Sequence, residues 1–75
     1  MITAEQCRAA RALLNWTQET LAKTVSVSDV SIRAFERGGK MRESNLKQIH
    51  DAFDAAGVEF IPENGGGPGV RLKRG

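Results

Sequence analysis

Residues 17–38 contain two short amphipathic runs joined by a tight turn, and they constrain the fold more than any other part of the chain. The apolar residues recur at the three- and four-residue spacing of a helix face: Leu21, Ala22 and Val25 in the first run, and Ile32 and Phe35 in the second. The pattern predicts helices over about Gln18–Val25 and Asp29–Arg37. These helices would pack through their apolar faces, so the outer face of the second helix would stay exposed.

Two further helices are predicted to flank this pair. The first covers about Ala4 to Leu14, where Thr3 and Gln6 have the spacing of a capping box. Trp16 follows this helix and is expected to fill part of the core. A fourth helix is expected to extend to about Ala56. The predicted N-caps are Thr3, Thr17, Ser28 and Ser44, and the predicted ends are marked by Gly38-Gly39 and Gly57.

The chain after Gly57 has the pattern of strands. Val58–Ile61 and Gly69–Leu72 are short β-type runs separated by a loop rich in proline and glycine. They predict a β-hairpin, which is marginally stable alone and needs a partner. That partner is either the helical bundle or the same strands of a second chain. The predicted fold is therefore mostly α, with residues 1–57 as the bundle and residues 58–75 as a hairpin and basic tail of the same domain.

Charge is distributed unevenly along the 75 residues, whose net charge is +2. Residues 33–47 hold five cations and two anions, whereas residues 48–63 hold four anions and no lysine or arginine. The tail adds Arg71, Lys73 and Arg74. Such an uneven field predicts one face that attracts a polyanion and another that is turned away from it.

No set of residues predicts catalysis or a cofactor. His50 and Asp54 are four residues apart on the predicted fourth helix, but no further ligand has a spacing suited to a metal site, so His50 is interpreted as a surface residue. The single cysteine, Cys7, falls within an apolar helical pattern. With no secretory or membrane-spanning pattern recognised, the expectation is a cytoplasmic binding protein and not an enzyme.

The landmarks of the first 53 residues together resemble the phage-repressor (Cro/cI, or XRE-type) helix-turn-helix family. These landmarks are Arg11, Thr17-Gln18, Leu21-Ala22, Val27-Ser28, Ser31-Ile32 and Phe35-Glu36-Arg37-Gly38. The resemblance covers residues 6–53 and implies a lambda-repressor-like bundle that binds double-stranded DNA sequence-specifically. It further implies a small transcriptional regulator, more commonly a repressor. A homodimer is also expected, with Val58–Ile61 and Val70–Leu72 contributing to its contact, because the apolar alternation of these strands needs covering. Such a two-fold dimer would read an inverted-repeat operator.

The resemblance also implies roles for particular residues. Asp29, Val30 and Arg33 correspond to base-reading positions of the recognition helix. The predicted phosphate contacts are Gln18, Ser28, Ser31, Arg37, Lys40, Arg42 and Ser44. Arg11 and Glu36 correspond to a salt bridge between the first and third helices, which is a structural role.

Two alternatives remain open from the sequence, and one position departs from the family pattern. Asp29 and Arg33 are four residues apart, so they can form an exposed ion pair instead of reading bases. Ser26 occupies the turn position that glycine usually fills in the family, where a positive φ would cost about 1 kcal/mol. Finally, bundles of this family also serve as protein-interaction adapters or as antitoxins that bind a toxin.

Overall fold

The computed structural model describes residues 1–74 and contains four helices followed by two strands. The helices are α1 (Ala4–Leu14), α2 (Gln18–Val25), α3 (Asp29–Glu36) and α4 (Glu43–Ala55). Strands β1 (Val58–Ile61) and β2 (Gly69–Leu72) form an antiparallel hairpin. The mostly helical fold with a C-terminal hairpin confirms the prediction.

Three of the four predicted N-caps are formed by the expected side chains. The Thr3 hydroxyl accepts from the backbone N–H of Gln6 at 3.0 Å, and the Gln6 side chain accepts from the Thr3 N–H at 2.9 Å, which completes the capping box. Thr17 and Ser28 cap α2 and α3 in the same way. Each cap satisfies a backbone donor that the first helical turn leaves without a partner.

The predicted cap at Ser44 is wrong, because α4 begins at Glu43 and its N-cap lies two residues before Ser44. Arg42 is the N-cap residue, and its carbonyl accepts from the N–H groups of Asn45 and Leu46 at 3.0 Å each. Since an arginine side chain has no acceptor, this helix has no side-chain cap. The predicted end of α3 at Arg37 also differs by one residue, because the helix ends at Glu36 and Arg37 is its C-cap.

The core lies between the four helices and is completed by the hairpin, which packs on α1 and α4. Its fully buried side chains include Cys7, Leu21, Ile32, Ile49, Phe53 and Val58. Trp16 packs against this core, as predicted, and the centroid of its ring lies 5.6 Å from the centroid of the Phe53 ring. Ser26, in the turn between α2 and α3, adopts the left-handed conformation with φ 57° and ψ 40°. The chain thus accepts the strain of a positive φ without a glycine at this position.

The hairpin pairs within one chain and packs against the bundle. Val58 pairs with Leu72 and Ile61 with Gly69, with β1 lying over α4 and β2 over α1. The buried Gln6 side chain donates to the carbonyls of Ile61, at 3.3 Å, and Gly69, at 3.0 Å. These bonds join α1 to the ends of both strands, so the bundle supplies the partner that an isolated hairpin lacks.

Gly39→Ala tests how tightly the loop after α3 is packed. A Cβ at this position would lie 2.7 Å from the backbone oxygen of Ala34, so backbone atoms must move. We expect a loss of about 2 kcal/mol in unfolding free energy, or roughly 10 °C in Tm. Gly66→Ala is the control, because its nearest atom is a flexible Asn64 oxygen at 3.9 Å. Equal thermal unfolding of the two variants would contradict this packing.

Candidate nucleic-acid interface

Helix α3 presents its outer face to solvent because its inner face is held in the core. Ile32 and Phe35 are buried, whereas the Val30 residue is 63% exposed and the Arg33 side chain 49% exposed. Asp29 lies one turn before Arg33, and helical geometry places it on the same side as these two residues. The structure therefore brings the three predicted base-reading residues together on one accessible face.

Asp29 and Arg33 also form the alternative ion pair. The Arg33 Nη2 lies 3.5 Å from an Asp29 carboxylate oxygen, and about half of each side chain is exposed. A long, solvated pair of this kind contributes only a few tenths of a kcal/mol. It therefore presents a weak barrier to either side chain turning towards another partner.

The two serines at the start of α3 are hydrogen-bonded to each other. The Ser28 hydroxyl accepts from the Ser31 backbone N–H at 3.1 Å and donates to the Ser31 hydroxyl at 2.9 Å. This arrangement leaves the Ser31 hydroxyl hydrogen available to an outside acceptor. Ser44 is exposed in the first turn of α4, beyond the loop that follows α3.

The loop between α3 and α4 carries unpaired positive charge. Arg37, Lys40 and Arg42 are exposed, and none lies within 4.0 Å of a carboxylate oxygen of residues 1–74. Lys40 and Arg42 line a groove of about 410 Å³ between α3 and α4, together with Val30 and Asn45. The unpaired cations therefore lie beside the exposed face of α3.

Two of the three cations of the C-terminal tail form ion pairs within the chain. Arg71 pairs with Glu59 at 2.9 Å, and Lys73 pairs with Asp54 at 2.7 Å. Arg71 and Lys73 thus neutralise two of the four anions of residues 48–63. Sequence charge alone does not distinguish such internal pairing from a surface that attracts a polyanion.

The predicted Arg11–Glu36 salt bridge is confirmed and is bidentate. The Nε and Nη2 atoms of Arg11 each lie 2.7 Å from a Glu36 carboxylate oxygen, and Glu36 is only 3% exposed. Arg11 also donates through Nη1 to the Trp16 carbonyl at 3.0 Å, and Arg8 donates to the Glu36 carbonyl. The two arginines thus join α1 to the turn before α2 and to the end of α3.

Two further donors to Glu36 were not predicted from the sequence. Cys7 Sγ lies 3.1 Å from one carboxylate oxygen, and Gln18 Nε2 lies 3.0 Å from the other. The sequence did contain one signal for the first of these, because Cys7 and Arg11 are four residues apart on one face of α1. Gln18, the first residue of α2, is therefore held by a side chain of α3.

These contacts shift the pKa values of Glu36 and Cys7 in opposite directions. Burial opposes ionisation of Glu36, but the hydrogen bonds from Arg11, Gln18 and Cys7 outweigh it and keep its pKa below the usual 4.5. Burial raises the pKa of Cys7 far above its usual 9.0, and its hydrogen bond to the Glu36 carboxylate and that group's charge add to the rise. At neutral pH the cluster consequently holds a carboxylate and a protonated thiol.

The comparison with protein families matches residues 8–60 to the helix-turn-helix family. The chain belongs to this family. The match covers most of α1, all of α2, α3 and α4, and the first three residues of β1, and it supports the Cro/cI-like, XRE-type assignment. This helix-turn-helix protein is a DNA-binding regulator.

A search of curated proteins gives no significant match. Within residues 1–74, no helix has the length and apolar character needed to span a membrane.

Cys7→Ala tests the buried thiol through the pH dependence of stability. Above pH 9.0 the unfolded thiol loses its proton while the folded one keeps it, so the folded state binds more protons and the unfolding free energy falls. Between about pH 8 and pH 10.5, the unfolding free energy of wild type should fall by about 2 kcal/mol more than that of Cys7→Ala. Urea unfolding of both proteins measures this difference. A difference independent of pH would show that Cys7 titrates normally.

Proposed function

We propose that this protein binds double-stranded DNA sequence-specifically as a small transcriptional repressor. It acts in the cytoplasm as a homodimer on an inverted-repeat operator, without a cofactor or catalytic activity. The observation that carries the proposal is the exposed face of α3, with Asp29, Val30 and Arg33, beside a loop of unpaired cations. A helix of this kind fits the major groove while the flanking cations meet phosphates.

Each residue of the exposed face suits a different base contact. Arg33 can donate in bidentate fashion to guanine O6 and N7, and Val30 can pack against a thymine methyl group. Asp29 can accept from the cytosine amino group. The weak Asp29–Arg33 pair requires little energy to break, so both side chains can turn towards the bases.

The phosphate contacts in this proposal surround α3. Arg37, Lys40 and Arg42 provide charge from the loop, and Gln18 meets a phosphate at the N-terminus of α2. The backbone N–H groups of Gln18 and Glu19 donate to no described residue, which leaves them available to an anion. Hydroxyl contacts come from Ser28, Ser31 and Ser44.

The hairpin is the proposed dimer contact. The bond from Lys73 N–H to the Gly57 carbonyl fixes the alternation of the ladder, so Val70 and Leu72 direct their backbone groups away from β1. Leu72 is also 50% exposed. A free strand edge beside an exposed leucine favours pairing with a second chain. Val58 takes no part in this contact, because it is fully buried within its own chain.

Arg33→Ala and Lys40→Ala separate base reading from phosphate contact. Duplexes selected by wild type from a randomised pool at about 150 mM salt should contain an inverted repeat. Arg33→Ala should lose the preference for guanine at one position per half-site, because the contact to the base is absent. The loss of discrimination against the other bases should be about 1–3 kcal/mol. Lys40→Ala should weaken binding to all sequences alike. It should also lower the slope of log binding constant against log salt concentration by about one unit.

The outcomes of this selection discriminate between the proposed functions. Equal losses of specific and non-specific binding in Arg33→Ala would exclude base reading by Arg33. A folded wild type that enriches no sequence would refute the operator-binding proposal and favour the adapter or antitoxin alternative.

Leu72→Glu tests the dimer contact. A buried charge at the strand edge should convert a dimer into a folded monomer, as measured by light scattering with circular dichroism as the check on folding. Gln48→Glu, on the exposed side of α4, adds the same charge away from the hairpin and should remain dimeric. A dimeric Leu72→Glu variant would exclude this contact.

A further inference from the structure

The side chain of Gln18 is held in place by Glu36. Its Nε2 donates to the Glu36 Oε1 atom at 3.0 Å, across 18 residues of sequence. Glu36 is itself fixed, because the bidentate pair with Arg11 and the thiol of Cys7 bind the same carboxylate. Gln18 is thus joined to a rigid, buried anion and does not sample solvent freely.

The chemistry of this contact determines the orientation of the Gln18 amide. An ionised carboxylate only accepts hydrogen bonds, so the amide must turn its nitrogen, and not its oxygen, towards Glu36. The second hydrogen on Nε2 has no acceptor among residues 1–74. A phosphate also only accepts hydrogen bonds. The orientation that Glu36 imposes therefore leaves a side-chain donor for a phosphate near the backbone N–H of Gln18.

The same cluster also fixes the backbone beside Gln18. Arg11 binds Glu36 with one side of its guanidinium group and the Trp16 carbonyl with Nη1, at 3.0 Å. Trp16 is two residues before Gln18. The start of α2 is consequently held at its backbone by Arg11 and at its side chain by Glu36.

We propose that Glu36 is a positioning residue for DNA binding, in addition to being the structural partner of Arg11. It holds the Gln18 amide in the orientation that contacts a phosphate, so the binding geometry exists before DNA arrives. Preorganisation of this kind improves affinity because no side-chain freedom is lost on binding. This inference rests on the proposed phosphate contact of Gln18.

A double-mutant cycle on DNA affinity tests the proposal. The probe is a mixed-sequence duplex of about 20 base pairs at about 50 mM salt, because a phosphate contact does not depend on the operator sequence. Glu36→Gln should weaken binding about tenfold in the wild-type background. In the Gln18→Ala background it should weaken binding only about twofold, a coupling of about fivefold.

The control cycle pairs Glu36→Gln with Gln48→Ala. Gln48 is an exposed glutamine of α4, and a general loss of folding caused by Glu36→Gln would affect both cycles alike. Affinities are therefore compared at a temperature where circular dichroism shows all variants folded. Additive losses for Gln18 and Glu36 would overturn the positioning role. Failure of wild type to bind the duplex would instead refute the proposed function.

A measurement on the wild-type protein covers the case in which Glu36→Gln does not fold. Nitrogen-15 relaxation of the side-chain amides should show Gln18 restricted and Gln48 mobile in the absence of DNA. On adding the duplex, the Gln18 amide should change its chemical shift without a further loss of motion. A Gln18 amide as mobile as that of Gln48 would overturn the proposal.

Discussion

The buried carboxylate of Glu36 is the constraint on which the arrangement of the first three helices depends. A charge that is 3% exposed must be compensated, and here the donors come from Cys7 and Arg11 of α1 and Gln18 of α2. Such a cluster adds little net stability, because desolvation offsets the attraction, but loss of one partner is costly. Its main effect is geometric, since only one mutual placement of α1, α2 and α3 satisfies every donor.

That placement determines what α3 can offer to a partner. With Ile32 and Phe35 in the core and its C-terminal carbonyl bound by Arg8, the helix has little freedom to move and its outer face stays accessible. The distribution of charge has the same consequence. Ion pairs within the chain neutralise Arg71 and Lys73, whereas Arg37, Lys40 and Arg42 of the α3–α4 loop stay unpaired within residues 1–74. These loop cations lie next to the outer face of α3. A polyanion is therefore attracted to the side that carries the exposed helix.

The hairpin shows how a small domain extends its core. A 75-residue chain can bury only a modest share of its surface. Strand β1 adds Val58 to the core, and the Gln6 side chain binds the ends of both strands. The inner face of β2 extends beyond the helices, because Leu72 is half exposed although its partner Val58 is fully buried. The strand that stabilises the monomer thus also exposes a large hydrophobic residue, Leu72. The other exposed large hydrophobic residues among residues 1–74 are Met1, Leu13 and Val30.

The sequence by itself determined the order of the elements, most of their ends and the exposed face of α3. Signals such as the Thr3–Gln6 capping box act between residues three apart, so a short window contains both partners. The same reasoning failed at Ser44, where the backbone of Arg42 begins the helix without a side-chain cap. Only the tertiary structure decided that Cys7 and Gln18 bind Glu36, that Arg71 and Lys73 of the tail are paired, and that the hairpin packs on its own bundle. Those contacts join residues up to 63 positions apart, and their formation depends on how the helices pack and not on local spacing.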